Sequence, residues 1–198
     1  MASVPVSVSY GNVITEIQMV QYEVDYMVDI IKSMPEDGLM VEWGSGGSTC
    51  KWIDTLSANQ KLISVEHNES WHGRVDRATK NHFDDLEKKF RYYHISEQFI
   101  QHGYGSLVEE HPTGTDNYIL PPPDDFWDAD IFFIDGIARA TCLMMVLLKH
   151  TKPNPAIFIH DYLGRENWYS WASQLCDVEM IGDKESYSTL ARLYPKKR

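Results

Sequence analysis

"MVEWGSGGSTCKW", residues 40–52, decides how this chain is read. An apolar run ends in the acid Glu42, a turn then carries Gly44, Gly46 and Gly47 within four positions, and an apolar helical pattern follows. Glycines cluster where the backbone must adopt φ > 0 or let another group approach closely. A buried strand, a glycine turn and a helix in that order open a β–α unit.

Working outward, the same alternation continues. "KLISVEH" reads as a second buried strand ending at Glu66, and Asn68 is placed to cap a helix with a stripe of Trp71, Val75, Ala78, His82 and Leu86. "FRYYHIS" is a third strand, "ADIFFIDG" a fourth, "ARATCLMMVLLKH" a helix and "AIFIHDY" a fifth strand. "ENWYSWASQL" reads as a last helix, and "VEMIGDKESYSTLARLY" as two closing strands. Upstream, Thr15 and Gln18 have capping-box spacing, so residues 1–35 are expected to be a helical segment with Ile17, Val20, Val24, Met27 and Ile31 on one face. Residues 97–128 hold four prolines in "HPTGTDNYILPPPDDFW" without a period. That stretch reads as a long loop, and Tyr104, Tyr118 and Phe126 are expected to wall a ligand pocket.

Continuous apolar strands separated by helices predict an α/β fold: one domain over residues 1–198, with a three-layer, mostly parallel sheet of about seven strands and an antiparallel C-terminal edge. In such sheets ligands bind beyond the carboxyl ends of the strands, where the strand order reverses. Glu42, Glu66, Asp135, His160 and Asp161 all fall at predicted strand ends.

The bulk numbers agree with a folded globule. The chain has 198 residues, of which 43% are hydrophobic, and a formal net charge of −11. Such a charge repels phosphate backbones, so no nucleic-acid partner is expected. Three well-separated cysteines, Cys50, Cys142 and Cys176, fit neither a disulfide framework nor a zinc site. They read as buried thiols. With no signal-peptide core at the N-terminus and no run long enough to span a membrane, a soluble cytoplasmic protein is expected.

Three nucleotide readings of the turn compete. A phosphate-binding P-loop requires G-x-x-x-x-G-K-[ST], and Lys51 here follows Cys50. A dinucleotide turn requires a third glycine where Thr49 stands, and Glu42 would face an anionic pyrophosphate. S-adenosylmethionine has a cationic amino group and sulfonium, no phosphate, and two ribose hydroxyls, which suits an acid before the turn and an acid ending the second strand. "VEWGSGGST" resembles the first motif, E/D-x-G-x-G, of the class I S-adenosylmethionine-dependent methyltransferases. "SVEHNESW" is similar to the region of their ribose-binding acid, and "DIFFIDGIARATCLMMVLLKH" with "AIFIHDY" to their fourth and fifth strands.

The resemblance implies a Rossmann-like fold, S-adenosylmethionine as cofactor, and a small-molecule acceptor methylated on oxygen. It places Glu42 near the methionine amino end, and Gly44, Ser45, Gly46, Gly47 and Ser48 along the cofactor. Glu66 falls on the ribose, His67 beside the adenine and Ser96 near the adenine amino group. A carboxylate at a strand end is expected to add little to the core, so Glu66 is read as a ligand for the cofactor alone. Asp135 would face the cofactor and, with Asp161, matches two metal positions of the catechol O-methyltransferase group, which binds magnesium. Tyr162 and Ala138 stand where that group has asparagine and lysine. If no metal binds, His160 is read either as the proton acceptor or as a histidine hydrogen-bonded within the sheet edge. Arg139 and Arg165 are read either as a clamp for an acidic substrate or as ion-pair partners of nearby Asp or Glu. A non-catalytic cofactor-binding subunit and an NAD-dependent oxidoreductase are the alternatives.

Overall fold

The computed structural model describes residues 6–10, 13–95, 116–182 and 190–196. Ser96, Glu97 and Tyr104 lie outside the described residues. The first segment differs from the sequence expectation. Val6–Tyr10 (β1) and Val13–Ile17 (β2) pair antiparallel, with Val6 opposite Ile17 and Tyr10 opposite Val13. Thr15 therefore lies in a strand and caps no helix. Alternating β-branched residues on either side of Gly11-Asn12 are a hairpin signature, and it outweighs a capping-box spacing of two residues.

The first helix is Gln21–Lys32 (α1). It starts where Glu23 reaches back to accept a hydrogen bond from the Val20 amide at 3.2 Å, satisfying one orphan donor of the helix start. Leu39–Trp43 (β3) and Gly47–Thr55 (α2) flank the glycine turn. Lys61–Glu66 (β4) is followed by Glu69–His82 (α3), whose Asn68 cap accepts from the Trp71 amide at 2.9 Å. A single turn, Leu86–Lys89 (α4), leads into Phe90–His94 (β5). After Asp116–Ile119 (α5) and a 3-10 turn at Asp124–Asp128 come Ile131–Ile134 (β6), Arg139–Lys149 (α6) and Ala156–Ile159 (β7). The expected last helix is shorter than its sequence pattern: a 3-10 turn at Glu166–Tyr169 and Ala172–Leu175 (α7). Cys176–Ile181 (β8) and Leu190–Pro195 (β9) close the fold.

The seven-stranded sheet runs β5-β4-β3-β6-β7-β9-β8. The first five strands are mutually parallel, and β9 is antiparallel to both β7 and β8. The chain builds outward from β3 to β5, then returns to add β6 on the other side, so the strand order reverses between β3 and β6. Two apolar layers enclose the sheet. Val41, Trp43, Phe132, Ile134 and Ile159 pack on one face with Leu143 and Val146 of α6. Met40, Leu62, Phe133 and Phe158 pack on the other with Val24, Met27 and Ile31 of α1 and with Trp52 and Ile53 of α2. Trp43 and Trp52 are fully buried packing residues. Phe126 meets Trp43 edge-on at 4.7 Å in this core and walls no pocket. All three cysteines are buried thiols outside any disulfide.

Candidate active site

At the reversal point the glycines have separate jobs. Gly44 adopts φ +85°, and a Cβ there would lie 2.6 Å from the Cα and N of Gly136, just after β6. Only glycine lets these two strand ends meet. Gly46 differs: its φ of −175° is extended backbone open to any residue, and its nearest neighbour would be Trp71 Nε1 at 3.6 Å. At Gly47 a Cβ would lie 2.6 Å from the Glu16 carbonyl oxygen. The close approach there is made by the β1–β2 hairpin, which corrects the expectation that a cofactor presses on every glycine of the turn.

Glu66 ends β4 almost fully buried, and both its oxygens are used. Oε2 accepts from the Ser45 amide at 2.8 Å and the Ser45 hydroxyl at 3.1 Å. Oε1 accepts from the Asn68 amide at 2.7 Å and faces His67 Nδ1 at 3.1 Å. Burial alone would raise its pKa, but these bonds more than offset it and hold the carboxyl below the usual range. Ser45 is pinned further, since its hydroxyl meets Tyr92 and its carbonyl accepts from Trp71 Nε1. Glu66 thus ties the glycine turn to the α3 start, a structural role its strand-end position did not announce.

Glu42 lies under the turn with no exposure. Its Oε2 accepts from Thr49 at 2.8 Å and Ser64 at 2.7 Å, and Ser48 lies 3.5 Å from Oε1. Burial pushes its carboxyl up to about 8, so it is protonated at neutral pH. Tyr118, on α5, is fully buried; its ring stands edge-on to His67 at 5.8 Å, its carbonyl accepts from Trp43 Nε1 at 2.8 Å, and a Cβ on Gly136 would collide with its hydroxyl. Tyr118 therefore stands beside His67 and Gly136.

Beyond β6 and β7, Asp135, His160 and Asp161 converge, each offering an atom within 4.8 Å of the others. His160 Nδ1 is 2.9 Å from Asp135 Oδ1, and Nε2 is 3.7 Å from Glu23 Oε2. The Asp135 carboxylate at hydrogen-bond distance favours the charged form of the ring. Desolvation opposes that charge, but the Asp135 and Glu23 carboxylates win and raise its pKa to about 10. A pKa raised in this way favours the charged ring, the form that donates to Asp135. Burial works against the Asp135 carboxylate too, yet His160 and Arg139 hold it below the usual range.

Arg139 is 8% exposed and committed to the same cluster. Its guanidinium donates to the carbonyls of Gly136 at 2.8 Å, His160 at 2.6 Å and Asp135 at 3.2 Å, and lies 3.3 Å from both Asp135 Oδ1 and Asp161 Oδ2. It orders the strand ends, and so is not placed as a substrate clamp. Arg165 approaches Asp161 at 4.0 Å. Asp161 itself has φ +54°, a left-handed backbone unusual for a side-chain-bearing residue, held by these partners. Asp135, His160 and Asp161 offer ligand atoms to a cation, but the Arg139 guanidinium 3.3 Å from both carboxylates opposes a divalent ion there.

The buried ionisations predict the pH profile of stability. Glu42 and His160 both have folded pKa values above their unfolded ones, so each contributes stability present at low pH and lost as pH rises. For Glu42 that loss spans pH 4.5 to about 8, and for His160 pH 6.5 to about 10. Urea unfolding should show stability declining across this range. Glu42→Gln is expected to flatten the lower part and His160→Gln the upper.

No family model and no curated protein matches the sequence. Solved structures do match the shape. A methyltransferase-like protein from Silicibacter pomeroyi aligns over 93% of this chain and 91% of its own, with 17% identity and a TM-score of 0.67. The fold is that of the class I S-adenosylmethionine-dependent methyltransferases. A SAM-dependent methyltransferase from Aquifex aeolicus shares this methyltransferase fold over 88% of this chain and 90% of its own, at 12% identity and a TM-score of 0.57. An rRNA methylase from Streptococcus thermophilus does so over 90% and 99%, at 11% identity and a TM-score of 0.56. Within this methyltransferase fold, the residues most easily missed in the sequence are Glu23 and Tyr92. Only Glu23 had a signal: it lies three residues after Val20, on the apolar face of α1.

Proposed function

We propose that the protein is an S-adenosylmethionine-dependent methyltransferase that methylates an oxygen of a small-molecule acceptor. The observation that carries this reading is the placement of Gly44 and Glu66 at the strand-order reversal of a methyltransferase fold. The donor set fits the cofactor. Two of the four donors on Glu66 are backbone amides, and the other two are the Ser45 hydroxyl and the His67 ring. The two ribose hydroxyls would replace them one for one. Glu66, an ionised carboxylate at the end of β4, would face a pyrophosphate unfavourably and can accept from ribose hydroxyls.

The bound cofactor would supply an electrophilic methyl group on sulfur. The chain's own task is then to hold the acceptor in line and to take a proton from a hydroxyl. His160 is already protonated, and Asp135 is held in its ionised form by His160 and Arg139. Asp161, whose side chain is 34% exposed against 21% for Asp135, is the group placed to receive that proton. Asp161→Asn is expected to slow methyl transfer by about 10²–10⁴-fold, the usual contribution of a positioned base, without weakening S-adenosylhomocysteine binding.

Calorimetric titration with S-adenosylmethionine and S-adenosylhomocysteine tests the cofactor; no binding to folded protein would refute the reading. The acceptor class is tested by following radiolabelled methyl into mixtures of small hydroxylated compounds and into RNA. The net charge of −11 favours the small molecules. Since one neighbour is an rRNA methylase, label appearing in RNA alone would replace this acceptor class.

A further inference from the structure

Ser45, between Gly44 and Gly46 of the turn, is bonded through every polar atom it has, and each partner comes from a different element. Its amide and its hydroxyl donate to Glu66 Oε2 at the end of β4, at 2.8 and 3.1 Å. The hydroxyl also meets the Tyr92 hydroxyl of β5, and the carbonyl accepts from Trp71 Nε1 of α3. Tyr92 stands opposite Ser64 and His94 opposite Glu66, so Tyr92 and Glu66 leave the sheet on the same face. The Tyr92 ring is stacked on His72 at 4.1 Å, and His72 on His94 at 4.9 Å. The Arg74 guanidinium lies 4.7 Å over the Trp71 ring. Consecutive residues of α3, Trp71 and His72, thus support the turn by two separate routes.

A hydroxyl has one proton to give and lone pairs to receive another. The Ser45 proton goes to the Glu66 carboxylate, and the Ser45 oxygen is left to accept from Tyr92. We infer that Tyr92 is a positioning residue for the ribose end of the cofactor site: it holds the Ser45 hydroxyl when a ribose hydroxyl takes that group's place on Glu66. This rests on the methyltransferase reading for the ligand, and on the contacts of Ser45 for the brace. Ser45 is only 6% exposed, so a hydroxyl displaced from Glu66 without another partner would be a buried polar group left unpaired, which opposes binding. With Tyr92 beside it the displaced hydroxyl keeps a bond, since each of the two oxygens can donate or accept. The Ser45 amide stays on Glu66 and the carbonyl on Trp71, so the turn keeps its shape through the exchange.

Tyr92→Phe removes the hydroxyl alone and leaves a ring for His72 to stack on. Calorimetric titration compares S-adenosylhomocysteine, which would displace the Ser45 hydroxyl, with its analogue lacking both ribose hydroxyls, which has nothing to displace it with. Tyr92→Phe should raise the dissociation constant for S-adenosylhomocysteine about three- to tenfold, the scale of one hydrogen bond, and leave that of the analogue within about twofold. In a Ser45→Ala background, Tyr92→Phe should make no further difference to S-adenosylhomocysteine. An unchanged constant in Tyr92→Phe would overturn the inference. Equal loss for both ligands would overturn it too, because slackened packing of β5 does not distinguish them. So would a loss of the same size in the Ser45→Ala background.

Urea unfolding of the same variants reads the Tyr92–Ser45 contact with no ligand. The double variant should lose less stability than the two single variants summed, because both remove one shared bond. Additive losses would overturn the brace. A wild type that binds neither S-adenosylmethionine nor S-adenosylhomocysteine would refute the methyltransferase reading and the ribose exchange with it. The unfolding cycle would then still decide the brace by itself.

Discussion

Gly44→Ala is expected to be the most damaging single methyl group in this protein. The left-handed backbone at φ +85° costs a side-chain-bearing residue on the order of 1–3 kcal/mol. The new Cβ would also press on the Gly136 backbone at 2.6 Å, and backbone at a strand end cannot swing aside as a side-chain tip would. Forced overpacking of this kind adds about 1–3 kcal/mol. Together these approach the whole stability of an ordinary domain, so urea unfolding should show a much lower midpoint or no folded protein. Gly46→Ala is the control. Its extended backbone and ordinary van der Waals distances predict a change within about 0.5 kcal/mol. Equal damage at both positions would mean that the two strand ends do not meet as described.

Glu66→Ala should harm binding and stability together. Removing the carboxylate takes the acceptor from the Ser45 and Asn68 amides, and each buried donor left unpaired costs about 1–3 kcal/mol. The same deletion removes the group proposed to take the ribose hydroxyls, which should weaken S-adenosylhomocysteine binding by about 1.5–3 kcal/mol, or roughly ten- to hundredfold. Glu66→Gln separates the effects. One oxygen remains to hold an amide, so much of the stability should return, whereas an uncharged group with one acceptor cannot serve both hydroxyls. Calorimetric titration beside urea unfolding reads both quantities. Unchanged affinity in either variant would move the ribose site away from β4.

These outcomes differ from what a strand-end acid suggests by its sequence position. Glu66 reads as a ligand because it ends an apolar run beside the glycine turn. That it is also a clamp, with the Ser45 amide on one oxygen and the Asn68 amide on the other, needed the turn and the α3 cap to be seen side by side. His160 is a sharper case. Its type and position suggest a base, and its intrinsic pKa supports that. Its pKa is raised chiefly by Asp135, which is 25 positions away in the chain, a separation no local pattern spans.

The N-terminal hairpin shows the opposite failure. Gly11-Asn12 between two alternating strands was present in the sequence, and the spacing of Thr15 and Gln18 masked it. Read by itself, the sequence determined the β–α alternation, the parallel sheet, the glycine turn and the acids at the strand ends. Those features rest on hydrophobic period and backbone permissiveness, which are local properties of a chain. Only the tertiary structure decided which glycine touches what, that Arg139 and His160 neutralise the paired aspartates, and that Phe126 belongs to the core. The physical reason is that burial, charge and hydrogen-bond partnership are properties of neighbours in space, and at the edge of a parallel sheet those neighbours come from distant parts of the chain.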